Sequence, residues 1–239
     1  MPEALAARLA AVRERIARAA ARAGRSSEEI TLVGVSKQQP AEAVAALVAA
    51  GLAHCGENFV QEAREKIPRV VSLIGAHEPA PRWHFIGRLQ RNKAKLAAEL
   101  FDVVEAVDRQ ELAEALSTHA AAAGRTLAVL LQVNVSGEVQ KGGAALSALA
   151  PLAHAVARLP ALRLVGLMTV PAASEQPEAT RPAFAQLRRL RDALQRGAPE
   201  LALPELSMGM SADFEVAIEE GATIVRVGSA LFGPRGEST

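Results

Sequence analysis

The chain of 239 residues contains no tyrosine. Chemistry that needs a phenol as acid or base must find it outside this chain. There is one cysteine, Cys55, so no internal disulfide can form, which fits a reducing cytoplasm. Charge of one sign is also missing: 27 basic residues face 26 acidic ones, for a net charge of +1. That balance offers no electrostatic case for nucleic acid or an anionic membrane as the main partner. Residues 1–23 interleave Arg and Glu with Ala and lack the uninterrupted apolar core of a signal peptide. No apolar run anywhere is long enough to span a bilayer. A soluble, cytoplasmic protein is the expectation. No composition shift or linker divides the chain, so residues 1–239 read as a single domain.

Half of the residues are apolar, which suits a large core. From Glu3 to Ala23 an amphipathic opening helix is expected, ended by Gly24. Strand-like and helix-like runs then alternate. The expected strands are Thr31–Lys37, Ala53–Asn58, Arg82–Gly87, Phe101–Val107, Ala128–Asn134, Leu164–Val170, Glu205–Met210 and Thr223–Gly228. The expected helices lie near 41–50, 59–67, 91–99, 109–122, 144–158, 178–195 and 212–220, with a last turn from Ser229. Ile67–Pro81 and Pro171–Pro177 read as longer loops. Alternation of this kind implies βαβ units and a parallel sheet. Eight units in this length fit a closed (β/α)8 TIM barrel with an extra N-terminal helix; a doubly wound open sheet is the alternative.

Three stretches carry chemistry. Thr31-Leu-Val-Gly-Val-Ser-Lys37 puts a lysine at the carboxyl end of the first strand, where α/β enzymes keep their active groups. An amine with its stem in an apolar wall has a lowered pKa and can attack an aldehyde. The plainer reading is a surface lysine in a βα turn. Near the C-terminus, Leu206-Ser-Met-Gly-Met-Ser-Ala-Asp213 ends strand seven, with Ser211 or Asp213 as helix N-cap. Strand eight follows, with Val225-Arg-Val-Gly-Ser229 at its end. Glycines and serines after strands seven and eight, with a helical turn from Ser229, form the usual phosphate site of barrels. Ordinary Gly/Ser turns are the alternative. Strand alternation turns Arg226 away from Val225 and Val227. Pointing inward it needs an anionic or acceptor partner: a phosphate, a pyridine nitrogen, or a core carboxylate such as Glu57. An amine and a phosphate cradle suit a ligand with an aldehyde and a phosphate, and pyridoxal 5′-phosphate is such a molecule.

Val35-Ser-Lys37, Gly56-Glu-Asn58, Trp83-His-Phe-Ile-Gly87 with Leu89-Gln90 and Asn92-Lys93, Gly166-Leu-Met168, Ser207-Met-Gly-Met-Ser211 and Val225-Arg-Val-Gly-Ser229 together resemble the pyridoxal phosphate homeostasis proteins, the YggS/PROSC family. The resemblance runs over nearly the whole chain. It implies a barrel like the N-terminal domain of alanine racemase, with Lys37 holding the cofactor as an internal aldimine. Ser207, Arg226, Gly228 and Ser229 would then hold the phosphate end, helped by the backbone of Met208 and Gly209, while Asn58 and Met168 line the ring. Whether Arg226 meets the phosphate or the pyridine nitrogen stays open; opposite the nitrogen it would leave the ring unprotonated and a poorer electron sink.

Other residues read more plainly. His84 is either a satisfied core histidine or a group in the barrel mouth. Arg88, Arg91, Lys93 and Lys95 form a solvated face or an anion or protein docking surface. Lys141 is a surface lysine or a second amine that receives the cofactor, and Cys55 a small core residue.

Racemisation needs an acid/base group on each face of the bound amino acid. The alanine racemases take one of theirs from a tyrosine in a second domain. This chain has no tyrosine and ends six residues after Gly233. A carrier and regulator without turnover is therefore expected, working as a monomer, exchanging with free amino acids and passing cofactor to transient recipient enzymes. The alternatives are an amino-acid racemase and a Schiff-base aldolase on the same barrel.

Overall fold

The computed structural model describes residues 2–75, 79–137, 142–172 and 174–233. Its centre is a closed barrel of parallel strands in sequence order: β1 Thr31–Val35, β2 His54–Glu57, β3 Arg82–Phe85, β4 Val103–Val107, β5 Leu127–Gln132, β6 Leu162–Met168, β7 Glu205–Ser207 and β8 Ile224–Val227. β8 closes on β1, with Val33 opposite Arg226 and Gly34 opposite Val227. The eight expected strands all form, each trimmed at one or both ends except where β5 and β6 start earlier. The open-sheet alternative falls, because the first and last strands pair.

Around the barrel run α2 Ala41–Ala49, α3 Val60–Ile74, α4 Ala94–Leu100, α5 Gln110–Ala122, α6 Leu149–Ala157, α7 Arg181–Gly197, α8 Phe214–Glu219 and the short α9 Ser229–Phe232. The opening helix α1 spans Pro2–Arg22 and buries Leu5, Leu9, Val12, Ile16, Ala19 and Ala20 at helical spacing. It lies across α2, α8 and α9, and so covers the seam where chain start and chain end meet. Arg15 fastens it there, stacking 4.4 Å above the Phe214 ring and pairing with Glu215.

Among the helices the largest departure from expectation is at α3. α3 does not stop before Pro68 but continues through it to Ile74. Pro68 removes one backbone hydrogen bond on an exposed face, whereas the turn beyond it buries Val70 with Ala63 and Lys66. Burial of that face prevails over the lost bond.

Side chains sort cleanly by strand alternation. Val33, Val103, Ala128, Leu130, Val165, Met168 and Ile224 pack together inside the barrel. Val104, Val129, Leu131, Val225 and Val227 point outward into the larger layer shared with the helices. The interior therefore closes below with aliphatic side chains and turns polar above, with His84, Glu105, Ser207 and Arg226 all buried.

Candidate functional site

A cavity of about 370 Å³ opens at the carboxyl ends of the strands. This volume lies in the range of small-molecule pockets, roughly 300–1,000 Å³. Barrel closure brings together residues far apart in sequence: Lys37 and Asn58 from the first two loops, and Arg226, Gly228 and Ser229 from the last strand. Met168, Ser207, Met208 and Gly209 do not line it. Met168 lies in the interior apolar cluster, Met208 packs outward, and Ser207 is fully buried beneath Arg226.

The segment carrying Lys37 is braced from behind. Lys66 of α3, only 7% exposed, donates to the Ser36 carbonyl at 2.6 Å, to Glu57 Oε1 at 2.8 Å and to Glu62 Oε1 at 2.6 Å. Ser36 Oγ donates to the same Glu57 oxygen at 2.7 Å, and the Gln38 amide donates to Glu62 Oε1 at 2.5 Å. Residues on both sides of Lys37 are thus tied to one buried ammonium. Gln38 takes φ +60, a conformation that costs a non-glycine residue about 1 kcal/mol or more and that the Glu62 bond helps to hold. Burial pushes the Glu57 carboxyl up against the pull of Lys66 and Ser36. Nothing in the spacing of Glu57, Glu62 and Lys66 marked them as supports for Lys37, although Glu62 and Lys66 stand one helical turn apart.

Arg226 points inward as strand alternation requires, but Glu57 is not its partner. Its Nη1 donates to Ser207 Oγ at 2.5 Å and its Nη2 to the Thr169 carbonyl at 2.8 Å. Glu57 instead belongs to Lys66, and the carboxylate nearest Arg226 is Glu105, at 3.9 Å. Ser207 Oγ donates to Glu105 Oε2 at 2.5 Å, so its hydrogen is spent. The other Glu105 oxygen meets His84 Nδ1 at 2.7 Å, and His84 Nε2 meets His54 Nδ1 at 2.9 Å. Burial alone would raise the Glu105 carboxyl, but the His84 bond and charge, the Arg226 charge and the Ser207 bond hold it below its ordinary value. Burial lowers the Arg226 pKa, opposed by Glu105 and Asp213. His84 is thus a satisfied core histidine. Cys55 is one as well in the sense of an inert core group: burial, aided by Glu57, pushes its thiol up to about 12.

The backbone after strands seven and eight is held together by a serine. Backbone amides of Gly228 and Ala230 point at Ser211 Oγ, at 3.2 and 3.3 Å. Ser211 is therefore not the cap of α8 but the acceptor that holds the start of α9 against the β7 loop. Asp213 occupies the α8 cap position without capping it, and accepts from the Met210 amide at 2.7 Å. Gly209 has φ +91, and a Cβ there would lie 2.9 Å from Phe214 Cα. Its glycine is required by packing on α8. Gly87 serves Asn58 similarly: a Cβ there would fall 2.2 Å from the Asn58 carbonyl oxygen.

Two atoms ask for a ligand. Asn58 Oδ1 is buried with no donor among the described residues. The guanidinium of Arg226 has donors left beyond its two protein bonds, and it lines the cavity. A ligand with acceptors for Arg226 and for the Ser211 and Ser229 hydroxyls, and an electrophile for an amine, fits this donor set. Lys141 lies outside the described residues.

Fold and site together define a closed parallel (β/α)8 barrel with a lysine and a Gly/Ser turn at one mouth. Comparison with known proteins narrows it. Residues 7–236 match the family model "Alanine racemase, N-terminal domain". A pyridoxal phosphate homeostasis protein of Aquifex aeolicus is 46% identical over 228 residues, 95% of this chain and 97% of the relative. The solved structure of PipY from Synechococcus elongatus PCC7942, with PLP bound, superposes with a TM-score of 0.83 at 38% identity, covering 96% of this chain and all of that one. Alanine racemase from Corynebacterium glutamicum shares the fold, with a TM-score of 0.72 at 16% identity over 98% of this chain and 62% of the racemase. The chain belongs to the pyridoxal phosphate homeostasis protein family, within the alanine racemase N-terminal domain fold.

Proposed function

We propose that this chain binds pyridoxal 5′-phosphate at the barrel mouth and serves the homeostasis of that cofactor as a carrier, without turnover of its own. The observation that carries the reading is that Lys37 and the Gly228–Ser229 turn line one cavity. PipY, 38% identical, is known with PLP bound. When bound, the cofactor supplies an aldehyde for a primary amine and a ring able to withdraw electrons.

Lys37 is the amine that holds the aldehyde. Ser211 and Ser229, which line the cavity with Gly228, offer hydroxyls to the phosphate at the start of α9, and the Gly228 and Ala230 amides fix Ser211 in place for it. Arg226 lies two residues below Gly228 on β8, about 6.6 Å deeper in the barrel. We therefore assign it to the ring nitrogen. A guanidinium has no acceptor to offer a proton and no proton to lose, so it leaves that nitrogen unprotonated and the ring a weak electron sink. Ser207, Met208 and Gly209 act beneath the ligand: Ser207 orients Arg226, and the Gly209 carbonyl accepts from the Arg226 amide at 3.0 Å. Met168 supports the floor, and Asn58 presents its free acceptor to the ring substituents.

Two features favour carriage over catalysis. Among the described residues the cavity is lined by no carboxylate, imidazole or thiol to move a proton opposite Lys37. The groups that could do so, Glu57, His84 and Cys55, are all buried in other bonds or in apolar packing.

The test is borohydride reduction followed by mass spectrometry. A pyridoxyl group on Lys37 is expected, and its loss in Lys37→Ala with the circular dichroism unchanged. A pyridoxyl group retained elsewhere in that variant would move the site to another lysine. Steady turnover of a D- or L-amino acid would make the protein a racemase.

A further inference from the structure

Beside the Lys37 cavity lies a second, open groove of about 880 Å³, and Asn58 stands in the wall of both. The groove belongs to the same end of the barrel. It is formed by the loops after β2, β3 and β4, with Phe59 at its rim, 54% exposed. Its charge is one-sided. Arg88, Arg91, Lys93 and Arg109 line it against a single carboxylate, Asp108. Asp108 is already paired with Arg109 at 2.5 Å. Arg88, Arg91 and Lys93 have no carboxylate within ion-pair distance among the described residues, and Arg88 and Arg91 are exposed. Exposed ion pairs elsewhere on the surface, such as Arg22–Glu219 and Arg181–Glu178, show that the chain readily pairs its arginines. With a net charge of only +1 over the whole chain, this is a local field at one lip of the cavity.

We propose that the groove is a collecting site for phosphate monoesters, which draws the phosphorylated cofactor to the barrel mouth before Lys37 takes it. This rests on the reading of the Lys37 cavity given above. The ligand is a dianion at neutral pH, and clefts lined by one sign of charge raise the association rates of oppositely charged ligands. Three unpaired cations about one Debye length away attract a dianion enough, after screening, to speed association about fivefold at physiological ionic strength. The gain is larger in dilute buffer. A route through this groove places the ligand next to Asn58, whose Oδ1 has no donor among the described residues and which lines both spaces.

The experiment is stopped-flow absorbance on the full chain, stripped of cofactor, mixed with pyridoxal 5′-phosphate or with pyridoxal, which has the aldehyde and no phosphate. The groove variant is Arg88→Gln/Arg91→Gln/Lys93→Gln. The control variant, Arg158→Gln/Arg163→Gln/Arg196→Gln, removes the same charge from exposed positions at the opposite end of the barrel. In the groove variant, association of pyridoxal phosphate should slow about fivefold near 0.15 M salt, and the deficit should vanish near 1 M salt. Dissociation and the pyridoxal rate should stay at wild-type values, and the control variant should behave as wild type. Unchanged association of pyridoxal phosphate, or equal slowing with pyridoxal, overturns the collecting site. Wild-type protein that reacts with neither aldehyde overturns the reading of the Lys37 cavity instead.

Discussion

Replacement of Lys66 with Met tests whether the brace behind Lys37 has the energetic weight its geometry implies. The side chains are alike in length, so the change removes an ammonium and leaves little void. Three acceptors lose a donor: the Ser36 carbonyl, Glu57 Oε1 and Glu62 Oε1. Glu62 is partly exposed and recovers water. Glu57 is fully buried, keeps only the Ser36 hydroxyl, and has a second oxygen with no partner among the described residues. Removing one member of a buried ion pair costs about 3–5 kcal/mol. Glu57, already pushed up by burial, relieves part of this by taking a proton in the variant, which leaves a loss of about 2–4 kcal/mol. Urea unfolding followed by circular dichroism measures it. A carboxyl raised in the fold above its unfolded value makes stability fall as pH rises, so the loss should be smaller near pH 5 than near pH 8. In a Glu57→Met background, Lys66→Met should cost about 1 kcal/mol or less, because no buried charge is then orphaned. A loss in wild type below about 1 kcal/mol, or one of equal size in both backgrounds, would refute this account of the brace. Retention of pyridoxal phosphate should weaken in Lys66→Met even where the protein is fully folded, since Ser36 and Gln38 no longer fix the lysine between them.

Two further expectations concern the interior chain. Arg226→Gln should weaken cofactor retention by roughly 2–4 kcal/mol and also destabilise the fold, because Glu105 loses its compensating charge; adding Glu105→Gln should restore the stability and not the retention, and equilibrium dialysis beside urea melts separates the two. His54 is held neutral by burial and by the neighbouring His84 and Arg82, with its pKa lowered from 6.5 to about 4. The unfolded chain binds a proton that the fold refuses, so stability is complete above about pH 6.5 and falls as the pH drops towards 4. The full shift corresponds to about 3 kcal/mol, which solvent at the half-buried ring reduces to roughly 1–2 kcal/mol. His54→Asn should flatten that limb of the stability profile; an unchanged limb would place the titration in another group.

The barrel could be read from the chain because each strand is a short apolar run between Gly, Pro and polar turns, and each helix an Ala- and Leu-rich run behind it. That punctuation located all eight strands, and its largest miss was the passage of α3 through Pro68, where a buried Val70 prevails over a missing amide bond. Lys37, Gly228 and Ser229 were legible for a topological reason: in any closed barrel the first and last strands are neighbours. The supports were not legible. His84, Glu105, Ser207 and Arg226 come from β3, β4, β7 and β8, and their order in the chain carries no trace of the hydrogen bonds that closure creates between them. Each alone is a polar residue in an apolar strand, and periodicity reports that it faces inward without naming its partner. Arg226 was correctly turned inward, but the core carboxylate offered as its alternative partner, Glu57, is not the one closure brings near it, which is Glu105. Ser211 shows a related limit, since a serine ahead of a helix looks like its cap whether it binds that helix or the next one.

The placement of Ser207 between Glu105 and Arg226 has a consequence for binding. Had the arginine met the glutamate directly, a two-pronged pair would have occupied one edge of the guanidinium and neutralised it at close range. Instead the nearest approach is 3.9 Å, with the serine hydroxyl accepting from one side and donating to the other. The carboxylate still compensates a buried cation, so the fold tolerates Arg226 inside the barrel. Meanwhile the serine and the Thr169 carbonyl take only two of its donors, and Arg226 lines the cavity with the others unspent on these partners. A direct Arg–Glu pair would stabilise the barrel equally well and bind a ring acceptor poorly. Ser207→Ala should therefore leave a fully folded protein whose Arg226 closes on Glu105, and its cofactor affinity, measured by equilibrium dialysis, should fall although the serine itself does not line the cavity.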